Sequence, residues 1–572
     1  MMRVDAPVYR NLDDDSETIA PFGPLLRIKR GGWYTANVLD NLEPQPGGNN
    51  STSAEAGTTN FHVHGLHVST GVPSIDTSTT YLGGDNIFIM LEKGDSNLYR
   101  ATVPNDHLPG VHWWVLISTD YVRSLFARPD STLTRATRYA LRSFARYHPH
   151  FEPSTTVQTF ASHGAILVED DDAWLPDANG CSAVRGVVNA ADRKIMLFTR
   201  YQFKDYSPGE TNVSLVWDNN PNYQFAAEQA NVTYCCDEPG EDDGRTVEDQ
   251  VSTISGTAAN GTTGQDLVFL NGGYQPTLSM AAGVWQRWSM VMASYNGALV
   301  MSVRDPATGE ATDACEVLKL SSDGVWAMEI PRPVSYMVVP AGGRGEVLIR
   351  CDTAGTYELW TSSTGTQAGD LSSQVGNDVP VQKLITLDVG EGGEGPSDDL
   401  TANECTPLRP YYAADMRDPA LKAAGAKAKY DPVPNFTGTP PSIGCSMSGE
   451  RFSKTQDPYL LAVGQVTEWR FARLAFHPLH VHINPFQLIR LPEGPEVANN
   501  TSTEGGWYEA GDFYDTLYIP QMEFGPTGNG TEPYRLPIRF NPVGIELGRR
   551  ALARPDSLTL RSFARDPTSA SR

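Results

Sequence analysis

Along most of the chain, apolar and polar residues alternate in short runs broken by Gly, Asn, Asp and Pro. GPLLRIKRG, WYTANVLDN, NIFIMLE and LYRATVP come early, LVFLNGGYQPTLSM, WQRWSMVMA and SYMVVPAGGRGEVLIRC in the middle, and YLLAVGQVTEWRFARL, HPLHVHINPFQLIRL and FYDTLYIP late. Alternation with a period of two places every second side chain on one face, so these runs predict β-strands. Their recurrence in three stretches predicts an all-β chain of consecutive β-sandwiches. The units are residues 1–200, 201–388 and 430–542, with 389–429, rich in Gly, Ala and charge, as a linker. A chain of 572 residues accommodates this number of domains and is far too long for a small binding module.

Two stretches break the pattern. Residues 115–147 carry six Arg against two Asp, residues 543–572 carry six Arg against three acids, and neither contains Lys. They resemble each other, sharing ARPDS and LRSFAR. Two copies so far apart in sequence cannot bury a shared face, so they are not a structural repeat. They read as an anomalous insertion and an anomalous tail.

The whole chain has 44 Lys and Arg against 68 Asp and Glu, a net charge of −24. Such a surface repels nucleic acid and anionic lipid. No apolar run approaches the roughly 18 residues needed to span a bilayer. The segment MMRVDAPVYRNLDDDSE has no apolar core of a signal peptide, yet nine N-x-Ser/Thr sequons, from Asn49 to Asn529, suit a glycoprotein of the secretory pathway. A secreted location is expected on that ground. The seven cysteines contain no CxxC pair, which argues against a structural zinc module or a thioredoxin-type site.

Seven of the eleven histidines fall in three clusters, His62-Val63-His64, His148-Pro149-His150 and His477-Pro478-Leu479-His480-Val481-His482. On a strand, residues two apart face the same side, so each cluster aims imidazoles into one space. Neutral imidazole suits copper, zinc, iron and nickel. His67, His107 and His163 read as packing or hydrogen-bonding residues. Asp85, in GGDNIFIML, reads on its own as a turn residue beside Asn86.

With these motifs in place, the chain resembles the three-domain, laccase-like multicopper oxidases. Asn60-Phe61-His62-Val63-His64-Gly65-Leu66-His67 resembles their first copper motif, and His477 to His482 followed by Ile483-Asn484-Pro485-Phe486 their third. GPLLRIKRG, FLNGGYQPTLSM, PAGGRGEVLIRC and GDFYDTLYIP resemble flanking segments. The second motif is split: joining Trp114 directly to His148 gives PGVHWWHPHFEPSTT, which fits the family without a gap. The resemblance implies cupredoxin-like Greek-key sandwiches, the third incomplete. It implies copper as cofactor, with His62 and His480 on a type 2 ion, His64, His148, His150 and His482 on a type 3 pair, and His477 on a type 1 ion. It also implies that Asp85 can relay protons and that His112 is not a ligand. The partners implied are dioxygen and a small reducing substrate, a phenol, an aromatic amine or a metal ion, acted on by a monomer.

The family's fourth motif, His-Cys-His, is not among these residues: no cysteine is flanked by His and no histidine follows His482. A type 1 copper needs a Cys thiolate, which also carries electrons onward. The residues as written are therefore expected to be catalytically inactive. A non-catalytic copper-binding protein on the same scaffold is the competing reading. A zinc hydrolase is weaker, because no HExxH occurs and such sites usually include a carboxylate. Both arginine-rich stretches begin with valine, whose codons start with GT as introns do, so both read as translated introns. Spliced transcripts are expected to skip the codons for residues 115–147 and to continue past Pro542 into His-Cys-His. Messages that all encode residues 115–147 would contradict this.

Overall fold

The computed structural model describes residues 25–39, 61–68, 95–116, 163–203, 265–294, 298–361, 381–430, 465–471, 479–481, 484–489 and 506–517. It adds short pieces at 9–10, 19–20, 81–83, 85, 446–447, 450–451 and 536–540. Residues 117–162 and the tail 543–572 lie outside the described residues.

The structure is built of β-sheets, as the alternating runs predicted. In the first unit, Leu26–Ile28, His163–Val168, Gly110–Leu116 and Phe61–His64 form one sheet in that order, and Trp33–Leu39, Ser96–Thr102 and Tyr81–Gly83 form another. Ile28, Phe61, Val63, Ile166 and Val168 of the first sheet bury against Tyr34, Tyr99 and Ala101 of the second. The strand Gly110–Leu116 runs two residues into the arginine-rich stretch, with Val115 opposite His62 and Leu116 opposite Phe61.

The middle unit has an eight-stranded and a five-stranded sheet around a core that includes Met196, Trp288, Met290, Leu299, Val347, Ile349 and Leu387. Its first strand, Asp192–Phe203, pairs in parallel with Gln286–Ala293. That strand crosses the expected boundary at residue 200. The connector before that strand is the helix Ser182–Ala190, whose Val184, Val187 and Val188 follow helical spacing and are buried.

In the third unit, Lys429–Tyr430, Thr467–Phe471, Leu536–Phe540, Phe486–Leu488 and Phe513–Tyr514 form a sheet, and Leu479–His480 pairs with Thr516–Leu517. Leu479, Phe486, Leu488, Trp507 and Tyr514 join the core of the middle unit. Val111 and Ala165 of the first unit pack on Leu197, Val291 and Ala293 of the middle one. Apolar burial at both junctions favours fixed placement of the units, since it is the main favourable term in association.

Residues 389–429, whose composition reads as a linker, run packed along all three units. The Tyr412 hydroxyl accepts from Leu108 N–H of the first unit at 3.1 Å, and Arg409 donates to the Trp326 carbonyl of the middle unit at 2.9 Å. Met416 N–H donates to Gln487 Oε1 of the third at 2.6 Å. Cys405 is tied to Cys181, just before the connector helix, by a disulfide spanning 224 residues. A second disulfide joins the paired residues Cys315 and Cys351 on neighbouring strands. Cys235, Cys236 and Cys445 lie outside the described residues. No helix among the described residues is long and apolar enough to cross a membrane.

Because Cys181 and Cys405 are both fully buried, replacing both with Ser loses the cross-link and buries two hydroxyls. A loss of about 2–5 kcal/mol of stability is expected, read as a lower denaturation midpoint in urea. An unchanged midpoint would show that packing alone holds the strap.

Candidate metal centre

The strand Phe61–His64 owes its role to alternation. Phe61 and Val63 enter the core of the first sandwich, which leaves His62 and His64 on the opposite face. Among the described residues, Phe61–His64 is also the edge strand of its sheet. An edge strand has outward N–H groups that need partners. Tyr99 Oη accepts from Phe61 N–H at 3.1 Å and Asp85 Oδ1 accepts from Val63 N–H at 3.0 Å.

The same Asp85 oxygen lies 2.6 Å from His62 Nδ1. A carboxylate can only accept, so the imidazole carries its proton on Nδ1 and presents Nε2 as its lone-pair nitrogen. Asp85 is buried, and through this contact it fixes the tautomer and ring orientation of His62.

From the third unit, His480 reaches the same place. Its Nδ1–H points at the Asp515 carbonyl, 3.0 Å away, and at Thr516 Oγ1, 2.9 Å away. The Thr516 hydroxyl in turn donates to Asp515 Oδ1 at 2.8 Å. His480 therefore also offers Nε2. Burial is the largest influence on its pKa and lowers it, which favours the neutral, metal-ligating form. Ligand nitrogens of His62, His64 and His480 all lie within 4.8 Å of one another, the one such group among the described residues. The rings of His64 and His480 stack with centroids 4.0 Å apart. Three imidazoles without a carboxylate in the set fit copper or zinc, and do not fit calcium or magnesium.

His148, His150, His477 and His482 lie outside the described residues. Of the seven histidines singled out as ligands, the structure brings together the three it describes, and it places Asp85 against one of them.

Four further histidines of the first unit, His67, His107, His112 and His163, are buried. His67 N–H donates to His107 Nε2 at 3.0 Å, and His107 Nδ1–H donates to the Leu108 carbonyl at 2.6 Å, so both nitrogens of His107 are engaged by backbone. The His67 ring stacks on Tyr412 with centroids 4.2 Å apart. His112 is fully buried, with Gly65 and Gly324 against its ring, and neither ring nitrogen has a hydrogen-bond partner among the described residues. His163 is buried in its strand.

Sequence reasoning missed the residues behind His480. Arg344, buried at the start of Arg344–Cys351 in the middle unit, grips Asp515 through Nη1 at 2.7 Å and Nη2 at 2.5 Å. Asp323 accepts the N–H groups of Arg344, Asp515 and Thr516 at 2.9, 3.1 and 3.0 Å. Burial, and after it the Asp515 charge, raise the Asp323 carboxyl to about 7, whereas Arg344 helps hold Asp515 well below the usual range. The signal in the sequence was slight: one Arg and one Asp inside otherwise strand-like runs.

No family model matches the chain, and no curated protein matches it by sequence. Solved structures do. The McoA multicopper oxidase from the hyperthermophile Aquifex aeolicus superposes with a TM-score of 0.53 at 11% identity, covering 92% of this chain and 84% of that one. A multicopper oxidase from Campylobacter jejuni, described as a metallo-oxidase, gives 0.50 at 12% identity over 91% of this chain and 79% of the other. The chain has the multicopper oxidase fold. At such identity the likeness concerns backbone architecture, and the chemistry rests on the side chains described above.

The buried histidines set a pH dependence. Burial pushes His67 down to about 3 and His107 down to about 4. Unfolded, both titrate near 6.5, so between about pH 6.5 and 4 the unfolded chain binds protons that the folded one does not. Stability is then lost as pH falls through that window, on the order of 1 kcal/mol per pH unit for each group. Melting temperatures of metal-free protein are expected to drop below pH 6.5, and less steeply in His107→Gln. Equal slopes for the two proteins would contradict the assignment.

Proposed function

We propose that the chain is a copper protein of the multicopper oxidase family whose metal centre lies between its first and third units. The observation that carries this reading is the convergence of His62 and His64 from one sandwich with His480 from another. Fold and donor set point the same way, and neither depends on the other.

The assigned reaction class is oxidation of a small reducing substrate by single electrons, coupled to reduction of dioxygen to water. Bound copper would supply the redox chemistry. The residues of the chain hold and shield it: His62, His64 and His480 are the ligands, Asp85 keeps the His62 proton on Nδ1, and Asp515 with Thr516 keep the His480 proton on Nδ1. Asp85 is also the acid best placed to exchange a proton at the centre, in keeping with the relay that the resemblance implies. Phenols, aromatic amines and reducing metal ions are the substrate classes that suit such a centre. Two disulfides and nine sequons support a secretory-pathway location.

The competing reading, a copper-binding protein without oxidase activity, is favoured by one feature: within these residues no cysteine is flanked by His. The two readings share the centre and differ in the thiolate.

Equilibrium dialysis against Cu(II) is expected to leave copper on the wild type, and to leave at least ten-fold less on His62→Ala, His64→Ala and His480→Ala at the same free copper. The copper-loaded residues 1–572 are expected to lack the strong visible absorption of a copper thiolate. Undiminished binding in all three variants would refute the centre, and an intense blue colour would refute the missing-thiolate account.

A further inference from the structure

The middle sandwich contributes no histidine to the centre, yet one of its side chains reaches both halves of it. We propose that Arg344 is a positioning residue for the metal centre, holding His480 in register with His62 and His64. The inference rests on the reading of those three histidines as a copper site.

On one side Arg344 grips both carboxylate oxygens of Asp515, whose backbone carbonyl accepts from His480 Nδ1–H and whose Oδ1 accepts from the Thr516 hydroxyl beside the same nitrogen. On the other side Arg344 Nη2 lies where a side chain on residue 65 would begin: a Cβ built on Gly65 would be 2.0 Å from it. Gly65 directly follows the ligand His64 and has a φ of +78°. The guanidinium therefore has fixed neighbours in the first and third units. Nη2 also donates to the Asp323 carbonyl at 3.0 Å and Nη1 to the Gly342 carbonyl at 3.2 Å, which anchors the arginine in its own unit.

A general role in joining the units does not explain this arrangement. The middle and third units already share an apolar core, and Asp512 already pairs with Arg332 and Lys319 across the same junction. A buried ion pair often adds little net stability over apolar packing. What Arg344 adds is direction. Its planar fork fits the Asp515 carboxylate in one orientation, and that orientation passes to the His480 ring through two hydrogen bonds. Groups that orient a ligand in this way typically change metal affinity by 10–100-fold when removed.

The test uses the full chain and Cu(II) alone as probe. Copper affinity is measured by competition with a chelator, the Cu(II) electron paramagnetic resonance spectrum reports coordination, and melting of metal-free protein reports folding. Arg344→Met is expected to weaken copper binding 10–100-fold and to move the spectrum toward that of His480→Ala, with Arg344→Lys recovering part of both. Thr516→Val, which leaves the Arg344–Asp515 pair in place, is expected to weaken binding several-fold with a metal-free melting temperature near that of wild type. Wild-type affinity and spectrum in a folded Arg344→Met would overturn the proposal. If that variant fails to fold, wild-type affinity and spectrum in both Thr516→Val and Asp515→Asn would overturn it instead. A wild type whose copper binding is indifferent to His480→Ala would remove the centre itself, an outcome distinct from a centre insensitive to Arg344.

Discussion

The buried contact between Arg344 and Asp515 is the constraint on which the centre depends. A metal centre assembled between two sandwiches is only as well defined as their relative placement, and ligand nitrogens must be fixed to within a fraction of an ångström to hold an ion tightly. Apolar packing supplies most of the adhesion here, since Leu479, Phe486, Trp507 and Leu517 of the third unit enter the core of the second. Apolar contact is non-directional, so orientation needs polar contacts with defined geometry. Arg344, Asp323 and Asp515 provide these at the junction nearest the histidines, while Lys319, Arg332 and Asp512 provide a second set farther along the same junction.

The segment 389–429 acts on the same problem from outside. It touches the first unit at Leu108, the middle at Trp326 and the third at Gln487, and the disulfide at Cys405 pins it to the connector before the middle sandwich. Its Gly- and Ala-rich composition resembles that of a spacer, but its buried residues, Tyr412, Ala413, Met416 and Leu421, sit among small and charged ones and are diluted in any average. Composition reports the mean of a segment, whereas packing depends on a few positions.

The sheets were legible in the sequence because alternation with a period of two is a local signal. The strand Phe61–His64 shows it in four residues, two to the core and two to the centre. His62, His64 and His480 were legible because imidazoles two apart on such strands are uncommon. The helix Ser182–Ala190 was missed, although Val184, Val187 and Val188 carry helical spacing, because only three apolar positions mark it. Arg344 and Asp515 were missed for a deeper reason: their meaning lies in each other, 171 residues apart, and neither is unusual alone. Asp85 fell between the cases. Its sequence context allowed both a turn and a site residue, and only its distance to His62 shows what it holds.

Function hinges on whether these three imidazoles from two sandwiches bind copper. The most direct measurement is diffraction from crystals of the copper-loaded full chain at wavelengths on either side of the copper absorption edge. The account predicts anomalous copper signal within bonding distance of a ring nitrogen of each of His62, His64 and His480. A peak at other residues only, with these three rings free of metal, would contradict it.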